Sequence, residues 1–299
     1  MKKIVDVSGV EVALKVNRFD KAFYEMDTAN YNQVKADFPY MFPKQIADTI
    51  LMAKVFNEEE QYLYKDAQIV FSDFNETESQ LEQLFKHIKY YSPNFKEPSV
   101  ITHISNLDYQ FPIVYADSLL FLALDMYLGS DNEVYRDFPE YLTNNYTKER
   151  LQVDVASAII DANYVKNTDR LFLNRMVYEG KRMYLLHQYL PEVSEAVLMG
   201  WTDIKWNWAK DNEINVWKYF IEKEYLYSND TNLNARFIYT APFSKFYQEA
   251  DLDSPGQIGI WMGWQIVRAF MQNNEVSLEH MLALKPEVIY KESKYKPAK

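Results

Sequence analysis

Apolar residues recur at helical spacing through most of the chain. Over 76–92 a polar start gives way to Leu81, Leu84 and Ile88, one face of an amphipathic helix. Similar patterns predict helices over about 30–37, 44–55, 58–66, 148–164, 168–190, 192–200, 206–225, 257–274 and 277–284. The helix over 148–164 carries Leu151, Val155 and Ile159 on one face. The next starts at the polar cap Asn167-Thr168-Asp169 and stops at Pro191. Strand patterns occupy two places. One is "SGVEVALKVNRFD" near the start. The other runs through "PSVITHIS", "FPIVY" and the longer "DSLLFLALDMYLG", ending at Gly129. The tail "YKESKYKPAK" is basic and is expected to fray. The pattern predicts an α+β, predominantly helical fold in which helices flank a small mixed sheet. With no Pro/Gly/Ser linker and no repeat, 1–299 reads as a single domain. Its N-terminal strand and helices fill 1–95, the central sheet 96–130 and a helical part 131–299.

Composition narrows the function. The 299 residues are 48% apolar and 25% charged, ample for a large core. Seven glycines are few for a barrel, propeller or Rossmann domain, and 16% aromatics promise a large aromatic core. A net charge of −11 repels phosphate backbones and no long basic run offsets it, so no nucleic-acid partner is expected. The absence of cysteine excludes disulfides, thiolate metal sites and cysteine nucleophiles. No apolar run approaches the roughly 20 residues of a membrane span. "MKKIVDVSGVEVALKV" is too broken by charge to serve as a signal-peptide core, so the protein is either cytosolic or trimmed of a leader.

The stretch "RMVYEGKRMYLL" (175–186) sets Glu179 beside Gly180 inside a helical pattern. Glycine there costs about 1 kcal/mol against alanine, so a close approach should compensate. The expected neighbour is the helix over 148–164, through its small residues Ala156, Ser157 and Ala158. In helical zinc peptidases such a Glu is a metal ligand, but those sites need two histidines at i and i+4. The chain has only His87, His103, His187 and His280, the closest pair sixteen residues apart. Glu179 then has a simpler role as an ion-pair partner for Arg175 or Arg182. Asp154 and Asp161 share a helix face, a spacing that usually marks a solvated surface. In "DLDSPGQIGIWMGWQIVRAFM" (251–271), Ser254 and Pro255 read as a helix start. Gly259 and Gly263 offer a packing groove, with Trp261 and Trp264 as either buried core or an aromatic cleft wall. No nucleophile elbow, Walker loop or dinucleotide fingerprint is present.

The strings "ISNLDYQFPIVYADSLLFLALDMYLG" (104–129), "FPEYL" (138–142), "APFSKFY" (241–247) and "DSPGQIGIWMGWQIVRAFM" (253–271) resemble the gliding-motility lipoprotein GldB family over nearly the whole chain. The resemblance implies a cell-envelope protein with a lipidated N-terminal cysteine that is not among these residues, facing the periplasm. It also implies support of the gliding and protein-secretion machinery through protein partners, with no enzymatic activity and no cofactor. A fainter similarity is to zincin-like peptidases, matched by Glu179 alone, because the helix "QVDVASAIIDAN" lacks both histidines and the catalytic base. The resulting expectation is a zincin-like pseudoenzyme without the metal site. Its vestigial cleft would comprise Glu179, Gly180, Asp154, Ser254, Gly256, Trp261 and Trp264. An edge strand near 99–105 would accept an extended peptide by strand addition. The alternatives are a metal-dependent hydrolase with unconventional ligands and a glycan-binding envelope protein.

Overall fold

The structure, a computed structural model, describes residues 4–116, 118–164 and 169–298. Its chain packs into two compact units, 1–159 and 160–299.

Unit 1 opens with β1 (Lys15–Asn17), α1 (Phe19–Tyr24), α2 (Tyr31–Asp37), α3 (Asp48–Val55), α4 (Glu58–Val70) and α5 (Asn75–Tyr91). Then come β2 (Ser99–His103), β3 (Ile113–Ala116), β4 (Leu119–Ala123), α6 (Glu140–Thr143) and the start of α7 (Lys148–Asn163). Asn57 caps α4 by accepting the Glu60 amide at 2.9 Å, and three glutamates fill its first turn, where the helix dipole favours anions. The sheet order is β1-β2-β4-β3, with β1/β2 and β2/β4 parallel and β3/β4 antiparallel. Val100, Ile101 and Thr102 of β2 and Leu120, Leu122 and Ala123 of β4 are buried on both faces, as interior parallel strands require. An aromatic core of Phe19, Phe23, Tyr24, Tyr31, Phe42 and Tyr64 gathers around Ile101.

Two strand expectations change. The first strand is only three residues long, because Arg18 pins Asp20 at 2.7 Å and the chain turns into α1. The strand expected to reach Gly129 stops at Ala123, followed by a single 3-10 turn at Leu124–Met126. Asp117, at its expected start, lies outside the described residues.

Unit 2 holds the end of α7, then α8 (Phe172–Tyr189), α9 (Glu195–Met199), α10 (Asp203–Asp211), α11 (Glu213–Glu222) and α12 (Asn232–Phe237). The long α13 (Ile258–Asn273), α14 (Leu278–Ala283) and α15 (Pro286–Ser293) complete it. Of the expected cap of α8, Asn167 and Thr168 lie outside the described residues. Asp169 accepts the Leu171 amide at 3.0 Å. The helix expected over 206–225 is two helices, because the Asn212 side chain donates to the Trp208 carbonyl at 3.0 Å and ends α10. The tail does not fray at 290. It is helical to Ser293, and Tyr295 donates to Glu213 at 2.6 Å while meeting Trp217 edge-on at 5.2 Å.

Candidate functional site

The glycine puzzle resolves inside unit 2. A β-carbon on Gly180 would fall within the backbone of Gly263 and 2.6 Å from the Trp264 nitrogen, and one on Gly263 would overlap the Met176 carbonyl. The partner of Gly180 is therefore α13, not the expected helix over 148–164. Two glycines let α8 and α13 cross backbone to backbone. Trp261 and Trp264 are buried beside this crossing and line no open cleft, and neither indole N–H finds an acceptor. The Arg268 guanidinium lies 3.9 Å over the Trp264 ring and pairs with Glu195, while His187 meets the same ring edge-on at 5.7 Å. Burial, aided by Arg268, holds the His187 imidazole below its usual range.

Glu179 is an ion-pair residue. Arg182 donates to it at 2.5 Å and also bonds Asp161. Arg175 turns away and donates to the Asp230 carbonyl at 3.2 Å. Ser254 does not cap α13, which starts at Ile258 with Gln257 in the left-handed region. Its hydroxyl instead donates to the Asp251 carbonyl at 2.6 Å and accepts the Ser244 amide at 3.1 Å. Gly256 makes room for the Ala241 carbonyl, and its own carbonyl accepts the Trp201 indole at 3.1 Å. Asp154 belongs to unit 1, held by Arg150 at 2.9 Å and the Tyr127 hydroxyl at 3.0 Å. Of the seven expected site residues, Gly180 and Trp264 meet at the helix crossing, and Ser254 and Gly256 shape the segment that leads into α13.

Unit 1 carries a second cluster of buried polar groups, at the carboxyl ends of its strands. By the topology of parallel sheets, ligands gather outside the carboxyl ends of the strands. Here the segments following β1, β2 and β4 supply Asp20, Ser105 and Asp125. Asp20 is fully buried and bonded by Arg18, Thr102 and Gln68, a closed structural network. Asp125 is also fully buried, and its carboxyl accepts the Ser105 amide at 2.8 Å, the Leu107 amide at 2.7 Å and the Ser105 hydroxyl at 3.1 Å. Tyr135 donates to its carbonyl at 2.5 Å. Burial pushes the Asp125 carboxyl up against the pull of those amides, and burial likewise pushes His103 down. This is no activated serine. The Ser105 hydroxyl donates straight to the carboxyl, with no imidazole between them to take its proton.

What Asp125 does is clamp a turn. Asn106 and Leu107 both sit in the left-handed region, φ 62° and 61°, which asparagine tolerates but which costs a residue such as Leu107 roughly 1–2 kcal/mol. The clamped turn borders a groove of about 470 Å³, whose other walls are the first turn of α4 and the segment 133–137. Glu58, Glu59, Glu133 and Asp137 set four carboxylates against the single guanidinium of Arg136, over an apolar lining that includes Tyr62, Leu63 and Val134. Tyr109 and Phe111 stand exposed in the loop just after the turn. The signal that marks Asp125 in the sequence is a lone carboxyl in the apolar run "LLFLALDMYLG", a position that burial forbids without partners.

Among the described residues no three His, Asp or Glu side chains converge as a metal site, and no helix is long and apolar enough to cross a membrane. The class defined is a predominantly helical α+β protein with a built acidic groove. Residues 1–297 match the family model described as gliding motility protein GldB, and the chain belongs to that family, a lipoprotein family by its name, with its role in gliding motility. Among curated proteins and among solved structures, nothing matches.

Proposed function

We propose that this chain is a non-catalytic, lipid-anchored envelope protein, facing the periplasm, that serves the gliding and secretion machinery by holding a protein partner. The partner segment is basic with apolar side chains, and it docks in the groove of unit 1. The observation that carries this reading is the Asp125 clamp: a buried carboxyl uses its hydrogen bonds to keep a left-handed turn, strained at Leu107, at the rim of that groove. Strain held in place by surrounding structure is a mark of ligand clamps. The four carboxylates supply charge complementarity, which steers encounter and weakens with salt. Two observations favour this groove over a cleft at Glu179. Strand β2 is interior, flanked by β1 and β4, so strand addition at 99–105 is blocked. The Glu179 helix packs backbone to backbone on α13, and Glu179 itself is paired with Arg182 of the same helix.

A photo-cross-linking residue in place of Tyr62, which is exposed and borders the groove, tests the proposal in gliding cells. The expected result is a discrete protein adduct at Tyr62 and none at the equally accessible Tyr239. The adduct disappears when Glu58, Glu59 and Glu133 become glutamine. No adduct, or one indifferent to that change, overturns the reading.

A further inference from the structure

Unit 2 carries a second depression, about 370 Å³, on the faces of α10 and α11 and the segment 246–251. Its lining differs in kind from the acidic groove. Three aromatic side chains, Trp208, Tyr219 and Phe246, meet there, with Trp208 6.4 Å and Tyr219 5.1 Å from Phe246 by ring centroids. Asn212, Asn215 and Gln248 also line it. Lys218 and Glu222, one helical turn apart on α11, are exposed, and no described hydrogen bond or ion pair engages their charged ends.

The walls are fixed in advance. Asp251 accepts the amides of Phe246, Tyr247 and Gln248 at 3.1, 2.8 and 3.2 Å, which locks the loop carrying Phe246. The Tyr219 hydroxyl donates to the Phe246 carbonyl at 2.8 Å, joining α11 to that loop. Asn215 donates to the Asn212 oxygen at 3.2 Å, which leaves the Asn215 carbonyl free to accept. The result is an aromatic floor rimmed by the Asn215 amide, which both donates and accepts, by Lys218, which donates, and by Glu222, which accepts.

We propose that this depression is a saccharide site, taking the terminal hexose or N-acetylhexosamine ring of a neutral glycan. A pyranose has an apolar C–H face that lies on an aromatic ring and an equatorial fringe of hydroxyls that pair with amides and carboxylates. Amides satisfy a hydroxyl in either role, since each carries two donors and an acceptor. The volume falls in the range of small-ligand pockets and suits one or two rings. The open charges fit the same ligand. Glu222 accepts from a vicinal pair of hydroxyls and Lys218 donates to a ring or acetyl oxygen. The site lies in unit 2 and is independent of the protein-docking groove.

The probe is a printed array of neutral glycans ending in hexose or N-acetylhexosamine, followed by titration of the best binder against tryptophan fluorescence. The parent protein is expected to retain at least one terminal sugar class. The double variant Asn215→Ala/Glu222→Ala, two exposed positions whose loss leaves the fold intact by circular dichroism, binds it at least tenfold more weakly. Glu58→Gln/Glu59→Gln/Glu133→Gln binds like the parent. An array without retained glycans, or equal retention by the Asn215/Glu222 double variant, overturns the assignment.

Discussion

Asp125→Ala is expected to destabilise unit 1 by about 3–5 kcal/mol. The substitution strips the acceptor from two backbone amides, Ser105 and Leu107, and from the Ser105 hydroxyl. The two amides belong to half-buried residues, and a hydrogen bond to a charged group is worth about 1.5–3 kcal/mol, so the two together reach that range. The left-handed pair Asn106 and Leu107 then loses the carboxyl that opposes its relaxation, and the rim of the groove loosens. Asp125→Asn keeps one acceptor oxygen and should fall between the parent and the alanine variant. Hydrogen exchange reads the effect where it occurs: protection of the Ser105 and Leu107 amides collapses in Asp125→Ala, while amides of α13 keep theirs. Unchanged protection at 105 and 107 would show that the turn is held by something else.

The second large effect is at the helix crossing, where Gly263→Ala is expected to cost about 3 kcal/mol. Two terms oppose each other. Alanine is worth about 1 kcal/mol more than glycine inside a helix. Against it, the new methyl lands on the Met176 carbonyl. No side-chain rotation relieves a clash between two backbones, so α8 and α13 must part, and the packing around buried Trp261 and Trp264 loosens with them. Overpacking of this sort costs 1–3 kcal/mol and occasionally more, and a backbone partner puts it at the upper end. All six tryptophans lie in unit 2, so the denaturant midpoint from intrinsic fluorescence reports this unit alone. Gly9→Ala, in unit 1, is the steric control. Nothing lies within 4 Å of its would-be β-carbon, and the midpoint of unit 1, read by far-UV circular dichroism, should not move.

The parts legible in the sequence are those written in local periodicity. Leu81, Leu84 and Ile88 mark the buried face of α5, and the apolar run after Gln257 gives α13 almost to the residue. Gly180 announced a close approach, because an interior helical glycine needs one. Which helix approaches is a tertiary fact: the small residues of α7 and the glycines of α13 were equally eligible by type, and only packing selects Gly263. Glu179 was legible as an ion pair, since Arg182 lies one turn on. The Asp125 clamp was hidden for the opposite reason. Its partners are backbone amides about twenty residues upstream, which carry no side-chain signature. The split between α10 and α11 was equally silent, because one amide of Asn212 turning back on Trp208 breaks an otherwise continuous pattern. Tyr295 fastens a tail whose charge pattern promised fraying.

The central claim is that Glu179 serves architecture while the carboxylate groove of unit 1 serves motility. Gliding speed in cells whose only copy of the protein is Glu179→Gln, set beside cells carrying Glu58→Gln/Glu59→Gln/Glu133→Gln, tests it most directly, with both variants confirmed at parental abundance. The prediction is near-normal gliding for Glu179→Gln, since a partly exposed ion pair contributes at most about 1 kcal/mol, and loss of gliding for the groove variant. Immobile Glu179→Gln cells together with gliding groove-variant cells would contradict it.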